Sequence, residues 1–154
     1  MIPLQSFMLL LTATVLSAAE LRDEWLDADT GHRVVRLSRV PGRSQSLYFH
    51  QNEFTASGDK LVFENGERGS WVNRIYVYDF PRKKCELLTE GGKVILVAPK
   101  SRQVYHQRSN TLFATHLDTG ETKALAQLPP RWRVSAVNSD EKFGLNFRGW
   151  WPAN

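Results

Sequence analysis

The chain has 154 residues, 42% hydrophobic and 23% charged, with Lys and Arg outnumbering Asp and Glu for a formal net charge of +4. That length holds one domain with a real core, and the supply of aromatic and β-branched residues excludes a disordered chain. The mild positive balance favours anionic partners, but no dense run of basic residues singles out nucleic acid. Arg82, Lys83 and Lys84 form the one basic cluster and read as the solvated tip of a strand connection.

Residues 7–16 (FMLLLTATVL) are apolar but too short to span a bilayer, and Ser17, Ala18 and Ala19 supply small residues of the kind a signal peptidase needs. Residues 1–19 are therefore expected to be a signal peptide and 20–154 the mature domain, exported to a periplasm or the medium with no stable membrane span after cleavage. The n-region carries no Lys or Arg, so its positive charge rests on the amino terminus alone. Cys85 is the single cysteine, which rules out an internal disulfide, and it reads as a small buried hydrophobe.

After the leader the chain alternates like short strands on tight turns. Residues 25–28 and 33–38 flank a DTG turn at Asp29–Gly31. Four strands follow at 52–55, 60–64, 74–80 and 85–89, the first pair turning at Ser57-Gly58-Asp59. A second set is expected at 94–98, 103–107, 111–117 and 123–127, with Gly91-Gly92 as the turn between the sets. A third opens at 134–137, turns at Asn138-Ser139-Asp140 and enters 142–147. Period-two alternation in IYVYDF and the β-branched content favour strand over helix. An Asp opening the turn before the last strand serves as landmark. DTG recurs at Asp118–Gly120, and Asp79 is given the same place, 39 residues earlier (118 minus 79), about one four-stranded blade. The expected fold is all-β, a partial β-propeller of about two and a half blades preceded by half a blade. The adjacent Trp150 and Trp151 would then be a core pair without their partner strands.

The segment leading into an inner strand lies beside a propeller's central channel. His50, Gln51 and Asn52 occupy that place, with Arg43, Ser44 and Gln45 upstream. Gln and Asn hydrogen-bond sugar hydroxyls, and Arg pairs with carboxylates. The same side chains equally suit the backbone groups of a long, partly buried loop. His106-Gln107-Arg108 reads as the start of a loop at the same mouth, His32 as solvent-facing and His116 as a packed or edge residue. The four histidines show no metal-ligand spacing, so no metal site is expected within the chain. Trp71, Trp132 and Trp150 suit wedges between blades more often than sugar platforms. No nucleophile elbow, phosphate loop or dinucleotide fingerprint occurs.

Residues 47–63 (LYFHQNEFTASGDKLVF), the RIYVYD strand, the ELLTEGG step, the VNSDEK turn and the opening WLDADTGHRVVRLS resemble the N-terminal part of oligogalacturonate lyases. Tyr48, Phe49, Gln51, Phe54 and Thr55 stand as that pattern has them. The resemblance implies a propeller of about seven blades that cleaves pectin-derived oligogalacturonides by β-elimination to unsaturated uronates. It also implies a catalytic His, an Arg and a manganese site of His and Gln residues, all in blades beyond Asn154, so this chain is expected to be a truncated member, inactive alone. Its own contribution would be substrate contact through Arg43, His50, Gln51 and Asn52 to an acidic oligosaccharide. Well-known members act in the cytoplasm, at odds with residues 1–19. The alternatives are a non-catalytic TolB-like periplasmic binding module and a remnant that folds poorly because its strand edges are exposed.

Overall fold

The computed structural model describes residues 22–67, 73–142 and 144–148, the last of these as backbone. The expected signal peptide and the residues Trp71, Trp150 and Trp151 lie outside the described residues. Two compact units divide between Val35 and Arg36.

In the first unit, β1 (Glu24–Leu26) pairs antiparallel with β2 (Arg33–Val35), Glu24 opposite Val35 and Leu26 opposite Arg33. The turn is closed by side chain as well as backbone. The Asp27 carboxylate accepts from Thr30 N at 2.9 Å and Thr30 Oγ1 at 2.7 Å, bonds that lower the pKa of Asp27. Gly31 takes φ 70°, the left-handed conformation that a residue without Cβ adopts without strain.

The second unit is antiparallel sheet throughout. β3 (Arg43–Gln45), β4 (Lys60–Gly66), β5 (Arg74–Asp79) and β6 (Lys84–Thr89) form a meander in that order. A second meander joins β7 (Lys93–Val97), β8 (Gln103–Arg108), β9 (Thr111–His116) and β10 (Thr122–Gln127). The pair β11 (Trp132–Val137) and β12 (Gly144–Arg148) begins a third sheet. One core cluster takes Val62, Ile75 and Val77 from the first sheet and Val94, Val97, Val104 and Leu117 from the second stretch. The other joins Ile95, Tyr105 and Ala114 to Leu128, just past β10, and to Val134 of the third sheet. Alternation explains the division, because Val104 and Tyr105 are neighbours on β8 yet face different sheets.

The repeat is sharper in register than in sequence. Phe54 faces Leu61, Val97 faces Val104 and Val137 faces Gly144, so the first turn recurs after 43 residues (97 minus 54) and again after 40 (137 minus 97). The two DTG turns also match. Gly31 N donates to Asp27 O and Gly120 N to His116 O, with Gly31 at φ 70° and Gly120 at φ 71°. Asp79 does not belong with the DTG aspartates. It ends β5 opposite Lys84 and its Oδ1 accepts from Arg82 N at 2.9 Å, which makes it the counterpart of Asp27, two positions before the landmark.

The inner strand of the first sheet also departs from expectation. A continuous strand at 52–55 is replaced by two pieces lying along one edge of β4. Arg43–Gln45 covers Gly66–Glu64, and Phe54 bridges to Leu61 while Val62 N donates to Glu53 O at 2.9 Å. Residues 46–53 leave the sheet between them. His106 is the second correction. It lies within β8, only 1% exposed, rather than opening a loop.

Candidate functional site

The excursion at 46–53 is anchored by groups that face inward. Leu47 is buried in the first core, and its N donates to Glu53 Oε2 at 3.1 Å. Gln51 N donates to Tyr48 O at 2.7 Å, and Gln51 Oε1 accepts from Tyr48 N at 3.1 Å, closing a tight turn. The other end of that side chain, Nε2, donates at 2.8 Å to the carbonyl of Ile95, on the inner strand of the next sheet. Asn52 Oδ1 accepts from Phe54 N at 3.1 Å and returns the chain to the sheet. Gln51 and Asn52 thus satisfy backbone groups in this geometry.

What the loop turns outward is aromatic. Phe49 is 87% exposed and Tyr48 60%. Their ring centroids lie 4.4 Å apart, and the exposed His50 ring touches both, at 5.0 Å from Tyr48 and 5.6 Å from Phe49. Arg43 is exposed at the start of β3, opposite Gly66. The sequence reading gave Tyr48 and Phe49 only as pattern residues. The signal that marks them is two large rings placed beside the turn-closing Gln51, in a tight turn that leaves both exposed.

Beneath the loop a carboxylate joins two sheets. Glu64 is 0% exposed. Its Oε1 accepts from Val94 N at 2.8 Å, and its Oε2 accepts from Lys93 Nζ at 2.8 Å, Asn73 Nδ2 at 2.9 Å and Gln45 Nε2 at 3.3 Å. Every partner is a donor, the set an ionised carboxylate requires. Gln107 repeats the device one sheet on: its Oε1 accepts from Val134 N at 2.9 Å, and its Nε2 donates to Trp132 O and Ser109 O, each at 2.8 Å. Gly66 sits against this knot, since a Cβ there would lie 2.2 Å from Asn73 Oδ1.

The opposite ends of the strands carry charge. Arg102 forks between Asp59, at 2.8 Å, and Asp118, also at 2.8 Å, while Lys60 Nζ lies 2.6 Å from Asp79 and 3.6 Å from Asp118. Hydrogen bonds from Arg102 hold Asp59 and Asp118 below the usual carboxylate range, and Lys60 does the same to Asp79. Each of the three acids contacts at least one of the two bases, so the cluster reads as a fastener between sheets.

The histidines do not converge. His106 stacks on Phe113 at 5.5 Å, its Nε2 meets Thr115 Oγ1 at 2.9 Å, and its Nδ1 has no hydrogen-bond partner among the described residues. Burial first, and the Arg108 charge second, push its pKa down to about 4. His116 Nδ1 accepts from Asp118 N in a turn, and His32 is exposed. Cys85 is half-buried, and burial raises its thiol pKa. No group of three or more His, Cys, Asp or Glu among the described residues is placed to hold a metal ion. The described residues do not fit a manganese site.

Fold and site together define an all-β protein of successive four-stranded antiparallel meanders, fastened sheet to sheet by buried polar side chains. No family model matches the sequence. The chain is 32% identical over 111 residues to an oligogalacturonide lyase of Pectobacterium atrosepticum, covering 69% of this chain and 28% of that protein. It is 30% identical, with the same coverage, to an oligogalacturonate lyase of Dickeya dadantii. Its structure matches an oligogalacturonate lyase solved in complex with manganese at TM-score 0.59 and 28% identity, over 77% of this chain and 33% of that one. An oligogalacturonate lyase from Vibrio parahaemolyticus shares the fold at TM-score 0.59 and 24% identity, over 76% of this chain and 32% of that one. The chain is related to the oligogalacturonate lyase family, and it spans less than a third of the length of the curated relatives it matches.

Proposed function

We propose that this chain forms the first blades of an oligogalacturonate lyase-type β-propeller and supplies part of its substrate-facing wall, with 43–53 as the contact segment. The two full meanders would be two blades and the β11–β12 pair half of a third. The reaction is β-elimination: a base takes the proton on C5, acidified by the neighbouring uronate carboxylate, and the bond to the departing sugar oxygen at C4 breaks. Catalytic base and metal would stand on other blades. Within this chain Arg43 would pair with a uronate carboxylate and His50, Gln51 and Asn52 would line the approach. The observation that carries the reading is that the stretch similar to the lyases folds into consecutive meanders with one inner edge opened by a loop.

The test is calorimetry and ultraviolet absorbance on the 154-residue chain with short oligogalacturonides and manganese. Binding without unsaturated uronate is expected. A flat titration overturns the substrate assignment, and turnover overturns the placement of the chemistry on other blades. Export is proposed from residues 1–19, and mass spectrometry of the secreted protein should find an amino terminus at Glu20.

A further inference from the structure

The side chains of Gln51, Asn52 and Glu53 in the 46–53 loop are turned to structural use while its rings are left in solvent. Exposing two large rings side by side has a free-energy cost, and a flexible loop would fold them back. Here the loop is pinned by buried Leu47 at one side, by the Glu53 carboxylate across its neck and by Gln51 reaching the next sheet. Tyr48, Phe49 and His50 therefore form one contiguous outward surface held in place by the fold.

We propose that the Tyr48–Phe49–His50 tip is a stacking platform for the apolar face of a galacto-configured sugar ring, a galacturonate residue of the bound saccharide. The proposal rests on the oligogalacturonide reading above and names the side chains that read the ring itself. An axial oxygen at C4 leaves the hydrogens on C3, C4 and C5 together on one face of a galactopyranose. That face is apolar and slightly positive, the complement of an aromatic face. A uronate also carries negative charge, which a chain of net charge +4 favours. The size of the patch fits a small ligand better than a protein. Rings of roughly 150–250 Å² each, partly covered, expose on the order of 400 Å² here, about half of what one partner contributes to a stable protein interface.

The experiment is calorimetric titration of the 154-residue chain and its variants with three probes: trigalacturonate, neutral galactobiose, and trimannuronate, which matches trigalacturonate in charge but has an equatorial oxygen at C4. The wild type is expected to bind trigalacturonate best and galactobiose detectably. The double variant Tyr48→Ala/Phe49→Ala should lose about tenfold in trigalacturonate affinity and all measurable galactobiose binding. Tyr48→Phe should retain both. Because the rings are exposed, an unchanged urea midpoint shows that the double variant is folded. If the double variant binds trigalacturonate like the wild type, the platform is overturned and the oligogalacturonide reading stands. If wild type binds trimannuronate and trigalacturonate equally, charge alone is recognised and the platform is again overturned. If wild type binds none of the three, the oligogalacturonide reading fails and takes the platform with it. A wild-type dimer that the double variant dissociates, with saccharide binding unchanged, assigns the tip to self-association instead.

Discussion

The inner edges of the first and second sheets repeat the same register and differ in one respect. β7 runs as one strand from Lys93 to Val97 with a single register shift between Val94 and Leu96, and Val97 faces Val104 at the turn. The corresponding edge of the first sheet is split between Arg43–Gln45 and Phe54, and residues 46–53 bulge out between the pieces. The strands on either side are alike, down to the buried side chain that receives the next sheet's amide: Glu64 in one, Gln107 in the other. Scaffold and candidate site are therefore separable. The repeated register builds the sheets, and the interruption of one edge creates a surface that the repeat by itself lacks.

That separation has measurable consequences, the largest of them in the fasteners. Glu64→Ala strands Lys93, Asn73, Gln45 and the Val94 amide together, and should cost about 3–5 kcal/mol in urea unfolding. Gln107→Ala, which removes an uncharged group, should cost about 1–3 kcal/mol. Equal costs at the two sites would show that the Lys93 ion pair of Glu64 adds nothing to the fastening.

Acid should act through His106. Its pKa is about 4 in the folded chain against an ordinary 6.5, so the unfolded state binds more protons between those values. Stability is then complete above about pH 6.5 and declines as pH falls toward 4, by about 3 kcal/mol in all. Unfolding midpoints measured across that window check it, and His106→Leu should flatten this part of the profile.

Gly66→Ala places a methyl group 2.2 Å from Asn73 Oδ1 and must displace that side chain from Glu64. A loss of about 1–3 kcal/mol is expected by chemical denaturation. The smallest effect on stability belongs to the aromatic tip: Tyr48→Ala/Phe49→Ala should stay within about 0.5 kcal/mol of wild type while saccharide titrations change. A large destabilisation by that pair would erase the distinction between scaffold and site.

Much of the scaffold was legible from residues alone. Strands at 60–64, 74–80, 103–107 and 111–117 fall on β4, β5, β8 and β9, because alternation and turn residues act locally. The DTG turns were readable for the same reason, since Gly31 and Gly120 meet a local backbone demand. Of residues 52–55 only Phe54 and Thr55 favour a strand, and pairing with β4 is decided across the sheet, where Phe54 bridges to Leu61 and Arg43–Gln45 claims the far end. His106 falls at the end of the expected 103–107 strand and in sequence reads as opening a loop, because a polar triplet looks like an exposed one. On β8 it alternates into the interior, beside Gly92.

The sequence by itself determined the all-β class, the blade-length spacing of its turns and the relationship to the lyases. These depend on interactions among near neighbours and on residue identity. Only the tertiary structure decided which groups face solvent. Gln51 and Asn52 are chemically suited to sugar, yet the loop closes on them because its backbone amides and the Ile95 carbonyl need partners. Tyr48 and Phe49 are chemically suited to a core, yet Leu47 takes the buried place beside them and leaves them outside. Burial is settled by what the rest of the chain brings alongside a residue, and a linear pattern does not contain that information.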